Sequence, residues 1–236
     1  MPIIKEKYTK LQGIKKVAIL ADAACRRGWE KNFPRLLKRV RELYKPDLFI
    51  VAGDLALNGY DREYRAVLKY ILKNRDELWA AVPGDHDRPL KNFLKYFGST
   101  RKVIDVGKWR FIGINTASRM FLKKEEEWIH KNIKTNSIIF SHLPPEADGW
   151  TFHSLWPRSS NRFLDVAKKY RTKIKAMYFG HIHGFSERKF MDIPMVVTGA
   201  VAESRVVKNN RYSGKGPLKM VVFDVDSGKT KTCMVK

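Results

Sequence analysis

The amino-acid sequence predicts an α/β fold in which helices connect parallel strands. Short apolar runs alternate with longer segments in which apolar residues recur at helical spacing. Helices between successive strands imply parallel crossover connections. Five of the apolar runs also end in a residue that could bind a metal ion, and the carboxyl ends of parallel strands meet at one edge of a sheet. The sequence therefore predicts a functional site at that edge.

Three strands and three helices are predicted in the N-terminal part of the chain. Their ends are marked by residues that interrupt regular structure; Pro46, for example, follows the first helix and cannot continue it. The predicted strands are Val17–Leu20, Leu48–Ala52 and Leu78–Val82. The predicted helices extend over about Trp29–Tyr44, Asp61–Lys73 and Leu90–Phe97.

The rest of the chain is predicted to be richer in strands. Lys102–Val106 and Trp109–Ile114 are joined at Gly107 and Lys108, which is typical of a hairpin. Further strands are predicted at Ser137–Phe140, Ala176–Phe179, Met195–Thr198, Lys219–Val225 and Thr230–Val235. Further helices are predicted at Glu125–Ile133 and over a basic stretch from about Ser160 to Tyr170. Because no internal repeat or linker interrupts this pattern, we expect a single domain over residues 1–236.

The composition favours a folded, soluble protein of the cytoplasm. Apolar residues make up 44% of the chain and aromatic residues 12%, which is enough for a hydrophobic core. No apolar run reaches the roughly 18 residues of a membrane span, and the N-terminus lacks the features of a signal peptide. Cys25 and Cys233 are far apart in the sequence, so neither a disulfide framework nor a zinc ribbon is expected.

The net charge indicates a polyanionic partner. Lys and Arg number 47 against 24 Asp and Glu, which gives +23 at pH 7. Such an excess favours binding to nucleic acid, nucleotides or an anionic membrane surface. The alternative is a solvated surface of the kind found in thermophiles, but those surfaces usually carry balanced ion pairs.

The five strand ends carry the side chains from which a metal site could be built. Alone, Asp54 could be a helix cap and His142 a hydrogen-bonded core histidine. Together, carboxylates and imidazoles suit Mn, Fe, Zn or Co better than calcium, and enough are present for two ions. Two bridged ions suit the hydrolysis of phosphoesters. The side chains at the strand ends are Asp22, Asp54, Asp85 with His86, His142, and His181 with His183.

The order of these motifs resembles that of the calcineurin-like metallophosphoesterase superfamily, whose pattern is D-x-H, G-D, G-N-H-D/E, H and G-H-x-H. The matching segments are Asp22-Ala23-Ala24, Gly53-Asp54, Gly84-Asp85-His86-Asp87, His142 and Gly180-His181-Ile182-His183. Ile114-Asn115-Thr116 and the helix with Glu127-Trp128-Ile129 are similar to the cyclic-nucleotide phosphodiesterase branch. The resemblance implies two mixed β-sheets in a sandwich flanked by helices, α/β/β/α, with the chain from Phe185 supplying much of the second sheet.

The resemblance also implies a role for each residue of the motifs. Asp54 would bridge two metal ions. Asp22 and His183 would bind the first ion. The ligands of the second ion would be Asp85, His142 and His181. His86 would be the general acid that protonates the leaving oxygen, and Asp87 would orient His86.

Two residues depart from the family pattern. Ala24 stands where the D-x-H histidine is expected, so the first metal loses a ligand. Asp85 stands where the G-N-H asparagine is expected. Two carboxylates, two divalent cations and a hydroxide carry one net positive charge, whereas a third carboxylate brings the sum to zero. The departures therefore shift the charge of the site against phosphate.

Neighbouring residues could compensate for these departures. Cys25 could donate a thiolate to the first metal, although a buried cysteine without that role is the simpler interpretation. His153 could replace the missing ligand or contact phosphate, or it could be an ordinary loop histidine. Arg26 and Arg27 could restore positive charge, or they could be surface residues at a helix entry.

The sequence thus predicts a metal-dependent phosphoesterase that hydrolyses a phosphodiester or phosphomonoester by a metal-activated hydroxide. One divalent ion would be firmly bound and a second more weakly. Two alternatives stay open. The chain could be a catalytically impaired family member that binds nucleic acid or a nucleotide, or it could be a nuclease that uses its basic surface. The retained histidines favour the enzyme, and Ala24 favours the binding protein.

Overall fold

Two mixed β-sheets form the centre of the fold in the computed structural model, which describes residues 2–24, 28–147, 150–201, 204–208 and 211–235. The strands are β1 (Tyr8–Leu11), β2 (Lys16–Leu20), β3 (Leu48–Ala52), β4 (Leu78–Val82), β5 (Lys102–Val106), β6 (Trp109–Gly113), β7 (Ser137–Phe140), β8 (Ile174–Phe179), β9 (Phe185–Phe190), β10 (Ile193–Thr198), β11 (Arg205–Lys208), β12 (Arg211–Lys215), β13 (Leu218–Asp224) and β14 (Thr230–Val235). The helices are α1 (Trp29–Tyr44), α2 (Asp61–Ile71), α3 (Lys91–Phe97), α4 (Lys123–Asn132) and α5 (Pro157–Lys169).

One sheet has the strand order β14-β13-β2-β3-β4, and the other has the order β1-β5-β6-β7-β8-β10-β9. Strands β2, β3 and β4 are parallel to one another, as are β6, β7, β8 and β10. The β5–β6 hairpin turns at Gly107 and Lys108, as expected, with Val106 paired to Trp109. Strands β11 and β12 form a separate antiparallel pair.

Side chains that alternate along the strands create three apolar layers. In β3, Leu48 and Ile50 pack between the sheets, whereas Phe49 and Val51 pack beneath helices α1, α2 and α3. Helices α4 and α5 cover the outer face of the seven-stranded sheet in the same way. The α/β/β/α sandwich is therefore confirmed. Within the described residues, no helix combines the length and the apolar character needed to cross a bilayer.

The structure differs from the expectation in one strand near the N-terminus and in the sheets to which the C-terminal strands belong. Strand β1 was not predicted, because its side chains are alternately exposed and half-buried and give no apolar run. The strands after Phe185 do not build mainly one sheet. Strands β9 and β10 extend the seven-stranded sheet, while β13 and β14 form one side of the five-stranded sheet.

The five ligand-bearing strand ends come from both sheets. Strands β2, β3 and β4 belong to the five-stranded sheet, and β7 and β8 belong to the seven-stranded sheet. The sequence had suggested the edge of one parallel sheet. The two sheets pack face to face with these strand ends close together, so the site lies where the sheets meet.

Lys102 is a buried lysine that ties the N-terminal segment to the fold. Its side chain is inaccessible to solvent, and Nζ donates hydrogen bonds to the carbonyl oxygens of Ile4 (2.8 Å), Phe97 (3.0 Å) and Glu6 (3.2 Å). Burial lowers the pKa of Lys102 to about 8, against the opposing charge of Glu6.

We expect Lys102→Met to lower the free energy of unfolding by about 2–4 kcal/mol at pH 7, because it leaves three carbonyl groups without their donor. Denaturant titration measures this loss. The exposed Lys175→Met is the control and should change stability by less than about 0.5 kcal/mol.

The pH dependence of the same variant follows from the lowered pKa. Between about pH 8 and pH 10.5 the unfolded chain binds a proton that the folded chain has released, so the stability of the wild type rises with pH over this window. The gap between wild type and Lys102→Met should therefore widen by up to about 3 kcal/mol. A gap that stays constant with pH would contradict the lowered pKa.

Candidate metal centre

Four of the polar residues that follow the strands have a strained backbone. Asp22, Asp54, His181 and His183 have φ angles of 55°, 58°, 69° and 55°, in the left-handed region that side chains other than glycine rarely adopt. Such strain persists only where the surrounding structure imposes it, and it is frequent at functional sites. In each case the turn directs a side chain toward the junction of the two sheets.

Two glycines allow these turns to approach one another closely. A Cβ atom on Gly53, which has a φ of 88°, would lie 2.5 Å from His142 Nδ1. A Cβ atom on Gly84 would overlap the carboxylate of Asp54. The glycine of each motif is therefore required by the distance at which the strand ends pack.

Asp85, His142 and His181 form one group of converging ligand atoms. Asp85 Oδ1 lies 3.0 Å from His142 Nε2 and 3.2 Å from His181 Nδ1, and these two nitrogens are 3.2 Å apart. On its other side, His142 Nδ1 donates to the carbonyl oxygen of Ala52 at 2.9 Å. This bond fixes the ring and leaves Nε2 to face the group, as in many metal-binding histidines.

Asp22, Asp54 and His183 form the second converging group. His183 Nε2 lies 3.4 Å from Asp22 Oδ1, and the ligand atoms of all three residues lie within 4.8 Å of one another. Asp54 Oδ2 is buried and makes no hydrogen bond within the described part of the chain, although His142 Nε2 lies 3.3 Å away. Asp54 therefore stands between the two groups with a carboxylate oxygen suited to a cation.

The charges of the two groups act strongly on one another. Burial raises the pKa of Asp22, but the charge and hydrogen bond of His183, together with the charges of His142 and His181, outweigh burial and the net shift is downward. For Asp85, burial is likewise outweighed by hydrogen bonds from His142 and His181, which hold its pKa well below the usual range. Burial lowers the pKa of His142, but the charge and hydrogen bond of Asp54, together with Asp85 and Asp22, raise it well above the ordinary value. Buried carboxylates whose pKa values are held down by neighbouring imidazoles fit a centre suited to cations.

Ala24 lies where the missing histidine would stand. Its side chain is 1% exposed and belongs to the apolar layer beneath α1 to α3, while its backbone N–H donates to the carbonyl oxygen of Asp54 at 3.1 Å. The first group therefore receives no ligand atom from this position. Cys25, Arg26 and Arg27 lie outside the described residues.

His153 lies beside the second-metal group of Asp85, His142 and His181. Its ring centroid is 5.3 Å from that of His181, with the rings at 71° to each other. Burial and the charges of His181 and His183 lower its pKa to about 4, so the imidazole is neutral at pH 7. The structure brings His153 to the rim of the site but not into either group of converging ligand atoms.

Asp87 organises the backbone around Asp54, which differs from the expected role of orienting His86. Its carboxylate accepts hydrogen bonds from the N–H groups of Asp54, Leu55, Ala56 and Gly84, at 2.9–3.0 Å, and from the Tyr64 hydroxyl at 2.9 Å. Burial and the charge of Asp54 raise its pKa to about 7. These partners occupy both oxygens of the carboxylate, so Asp87 holds the loop and not the His86 ring.

His86 is oriented by a backbone carbonyl instead. Its Nδ1 lies 2.8 Å from the carbonyl oxygen of Leu57, and its backbone N–H donates to Asp54 Oδ1 at 3.1 Å. The side chain is exposed to solvent. His86 therefore stands at the open side of the centre.

Arg119 was not predicted as part of the site. Its Nε and Nη2 atoms lie 3.1 and 2.7 Å from Asp85 Oδ2. Arg119 and Asp85 are 34 positions apart in the chain, and Arg119 belongs to none of the sequence motifs. The side-chain oxygen of Asn115 accepts a hydrogen bond from the Ala117 N–H at 3.0 Å.

Comparison with known proteins gives consistent matches. A family profile described as calcineurin-like phosphoesterase matches residues 15–185. The chain is 25% identical over 176 residues to a probable cyclic nucleotide phosphodiesterase of Vesicomyosocius okutanii, which covers 70% of this chain and 74% of the relative. It is 26% identical over 196 residues to a probable glycerophosphodiester phosphodiesterase of Arcobacter nitrofigilis, with 75% and 70% covered.

Solved structures share the fold at low sequence identity. GAP50, the anchor in the inner membrane complex of Plasmodium, superposes with a TM-score of 0.70 at 12% identity, covering 94% of this chain and 84% of the other. A dimetal phosphatase from Danio rerio gives a TM-score of 0.66 at 12% identity, covering 94% and 99%. At such identity the likeness extends to the fold alone.

Proposed function

The chain belongs to the calcineurin-like phosphoesterase family, and from this premise we propose that it is a metal-dependent phosphodiesterase with a weakened first metal site. The family makes the chain a hydrolase of phosphoesters. Both curated relatives described above bear the names of phosphodiesterases, which favours a diester over a monoester as substrate. The observation that carries the proposal is that two groups of converging ligand atoms lie side by side, with Asp54 Oδ2 of one group 3.3 Å from His142 Nε2 of the other.

In this proposal the residues present hold two divalent ions of Mn, Fe, Zn or Co. Asp22, Asp54 and His183 hold the first ion. The second is held by Asp85, His142 and His181, with Asp54 placed to reach both. The first site is the weaker one because Ala24 provides no ligand atom. When bound, such ions polarise phosphoryl oxygens and lower the pKa of water.

His86 is the proposed proton donor to the leaving oxygen. Its Nδ1–H donates to the Leu57 carbonyl oxygen, so Nε2 is the atom that would carry the transferred proton. The bond from its backbone N–H to Asp54 Oδ1 keeps it next to the centre, and its exposure lets a substrate reach it. Asp87 supports this arrangement indirectly by fixing the backbone of Asp54.

We expect His86→Gln to lower kcat for an alkyl phosphodiester by about 10²–10³, because the alkoxide leaving group needs a proton. A nitrophenyl ester should be affected far less, since its leaving group departs without one. Steady-state kinetics with both substrates measures the difference, and His130→Gln, on α4, is the matched control. An equal loss for both substrates would contradict the assignment.

The proposed activity is tested with an alkyl phosphodiester, a phosphomonoester and nucleic acid as substrates in the presence of manganese. We expect the diester to be hydrolysed faster than the monoester. A protein that binds manganese but hydrolyses none of the three would overturn the proposal.

A second candidate function, nucleic-acid binding with or without nuclease activity, is favoured by the net charge of +23. If several phosphates are contacted, affinity for duplex DNA should fall by roughly 10³ between about 50 and 200 mM salt. An affinity that does not change with salt would exclude this candidate. Degradation of the DNA in manganese would separate a nuclease from a binding protein.

A further inference from the structure

The carboxylate at position 85 has two oxygens with different surroundings. Oδ1 faces the ligand nitrogens of His142 and His181, whereas Oδ2 accepts both hydrogen bonds from Arg119. An asparagine amide would offer the first contact through its oxygen, but its NH₂ group could not accept hydrogen bonds from a guanidinium. The arginine is therefore matched to the aspartate, and not to the amide that the family pattern has there.

The loop that carries Arg119 is fastened to the site at several points. The Arg119 N–H donates to the Thr116 carbonyl oxygen at 2.8 Å, and Thr116 Oγ1 accepts from the N–H of Leu143, the residue after His142. On the other side, the Trp156 N–H donates to the Arg119 carbonyl oxygen at 3.4 Å. Arg119 itself has a φ of 62°, so a strained backbone holds its side chain over Asp85.

Part of the guanidinium still faces the open side of the centre. The Arg119 side chain is 50% exposed, and Nη1 takes no part in the two hydrogen bonds to Asp85. An incoming phosphate would therefore meet this cation beside the ligand groups.

We infer that Arg119 is the charge partner of Asp85 and sets the charge that the centre presents to phosphate. The inference rests on the proposed function, because it concerns the binding of phosphate to the metal-loaded centre. Three carboxylates, two divalent cations and a hydroxide sum to zero, and Arg119 restores one positive charge. The pair Asp85–Arg119 therefore has no net charge, like the neutral asparagine side chain of the family pattern.

In a double-mutant cycle, we expect the two single substitutions to change phosphate affinity in opposite directions. The probe is inorganic phosphate, whose binding to the manganese-loaded protein is measured by calorimetry. Arg119→Met should weaken phosphate binding by about tenfold, since one close positive charge is lost. Asp85→Asn alone should tighten it several-fold. The double variant should bind within about threefold of the wild type, because both charges are removed together.

The surface pair Arg65–Asp61, with Nε 2.6 Å from Oδ2, is a matched control. Arg65→Met removes the same charge away from the centre and should leave phosphate binding within about twofold of the wild type. If Arg119→Met behaves like Arg65→Met, or if the double variant binds phosphate as weakly as Arg119→Met, the inference is overturned.

The failure of this inference can be told apart from the failure of the proposed function. Phosphate binding needs no turnover, so the cycle can be completed on a protein that hydrolyses nothing. If manganese does not bind, the same four proteins are compared by thermal unfolding without metal. We then expect Asp85→Asn to lower Tm less in the Arg119→Met protein than in the wild type. Equal shifts in both backgrounds would show that the two side chains are not coupled and would overturn the inference.

Discussion

Asp54→Asn is expected to lose about a thousandfold in kcat/KM for a phosphodiester, which corresponds to about 4 kcal/mol of transition-state stabilisation. Asp54 lies between the two ligand groups, and its buried Oδ2 makes no hydrogen bond within the described residues. The amide keeps the size of the side chain but removes the negative charge that both ions would share. Manganese binding should weaken at both sites for the same reason.

Asp165→Asn is the control for this experiment, because Asp165 is an exposed carboxylate on α5. It should keep wild-type activity and metal content. Turnover of Asp54→Asn within tenfold of the wild type would show that Asp54 is not shared by the reacting centre.

Asp87→Ala is expected to lower the free energy of unfolding by about 3–5 kcal/mol, the second large effect that the structure predicts. The substitution leaves four buried N–H groups and the Tyr64 hydroxyl without an acceptor. Because two of these N–H groups belong to Asp54 and Gly84, we also expect weaker manganese binding. Denaturant titration and calorimetry measure the two effects separately.

Tyr64→Phe provides a graded comparison, since it removes only one of the five hydrogen bonds and should cost about 1 kcal/mol. If Asp87→Ala is no less stable than Tyr64→Phe, the carboxylate does not organise the loop. If it instead retains full stability but loses activity for alkyl diesters only, Asp87 acts on His86 after all.

Much of the fold could be predicted because its strands are buried on both faces. Runs such as Leu48–Ala52 are continuous in the sequence, and their ends are marked by glycine and by polar residues. Strands without such a run could not be recognised. All six side chains of β9 are half-buried or exposed, and its four central residues are polar or charged. Strand β1 is short and depends on its pairing with β5.

In the candidate site, too, some features could be predicted from the sequence and others could not. The residues of the two candidate ligand groups could be predicted to lie together because each follows a strand in a recurring pattern. The contacts of Asp87 could not, because three of its five hydrogen-bond donors are backbone groups of residues 31–33 positions earlier. Arg119 was invisible for the same reason, since its partner is distant in the chain and its left-handed turn has no glycine to mark it.

The central claim is that two groups of residues hold two ions with unequal strength, and the manganese stoichiometry of the purified protein tests it most directly. Titration calorimetry of the metal-free wild type should show one tight equivalent and one weaker equivalent. Ala24→His should tighten the weaker equivalent by about tenfold or more by adding a nitrogen ligand. A wild-type protein that binds no manganese, or two equivalents of equal affinity that Ala24→His leaves unchanged, would contradict the account.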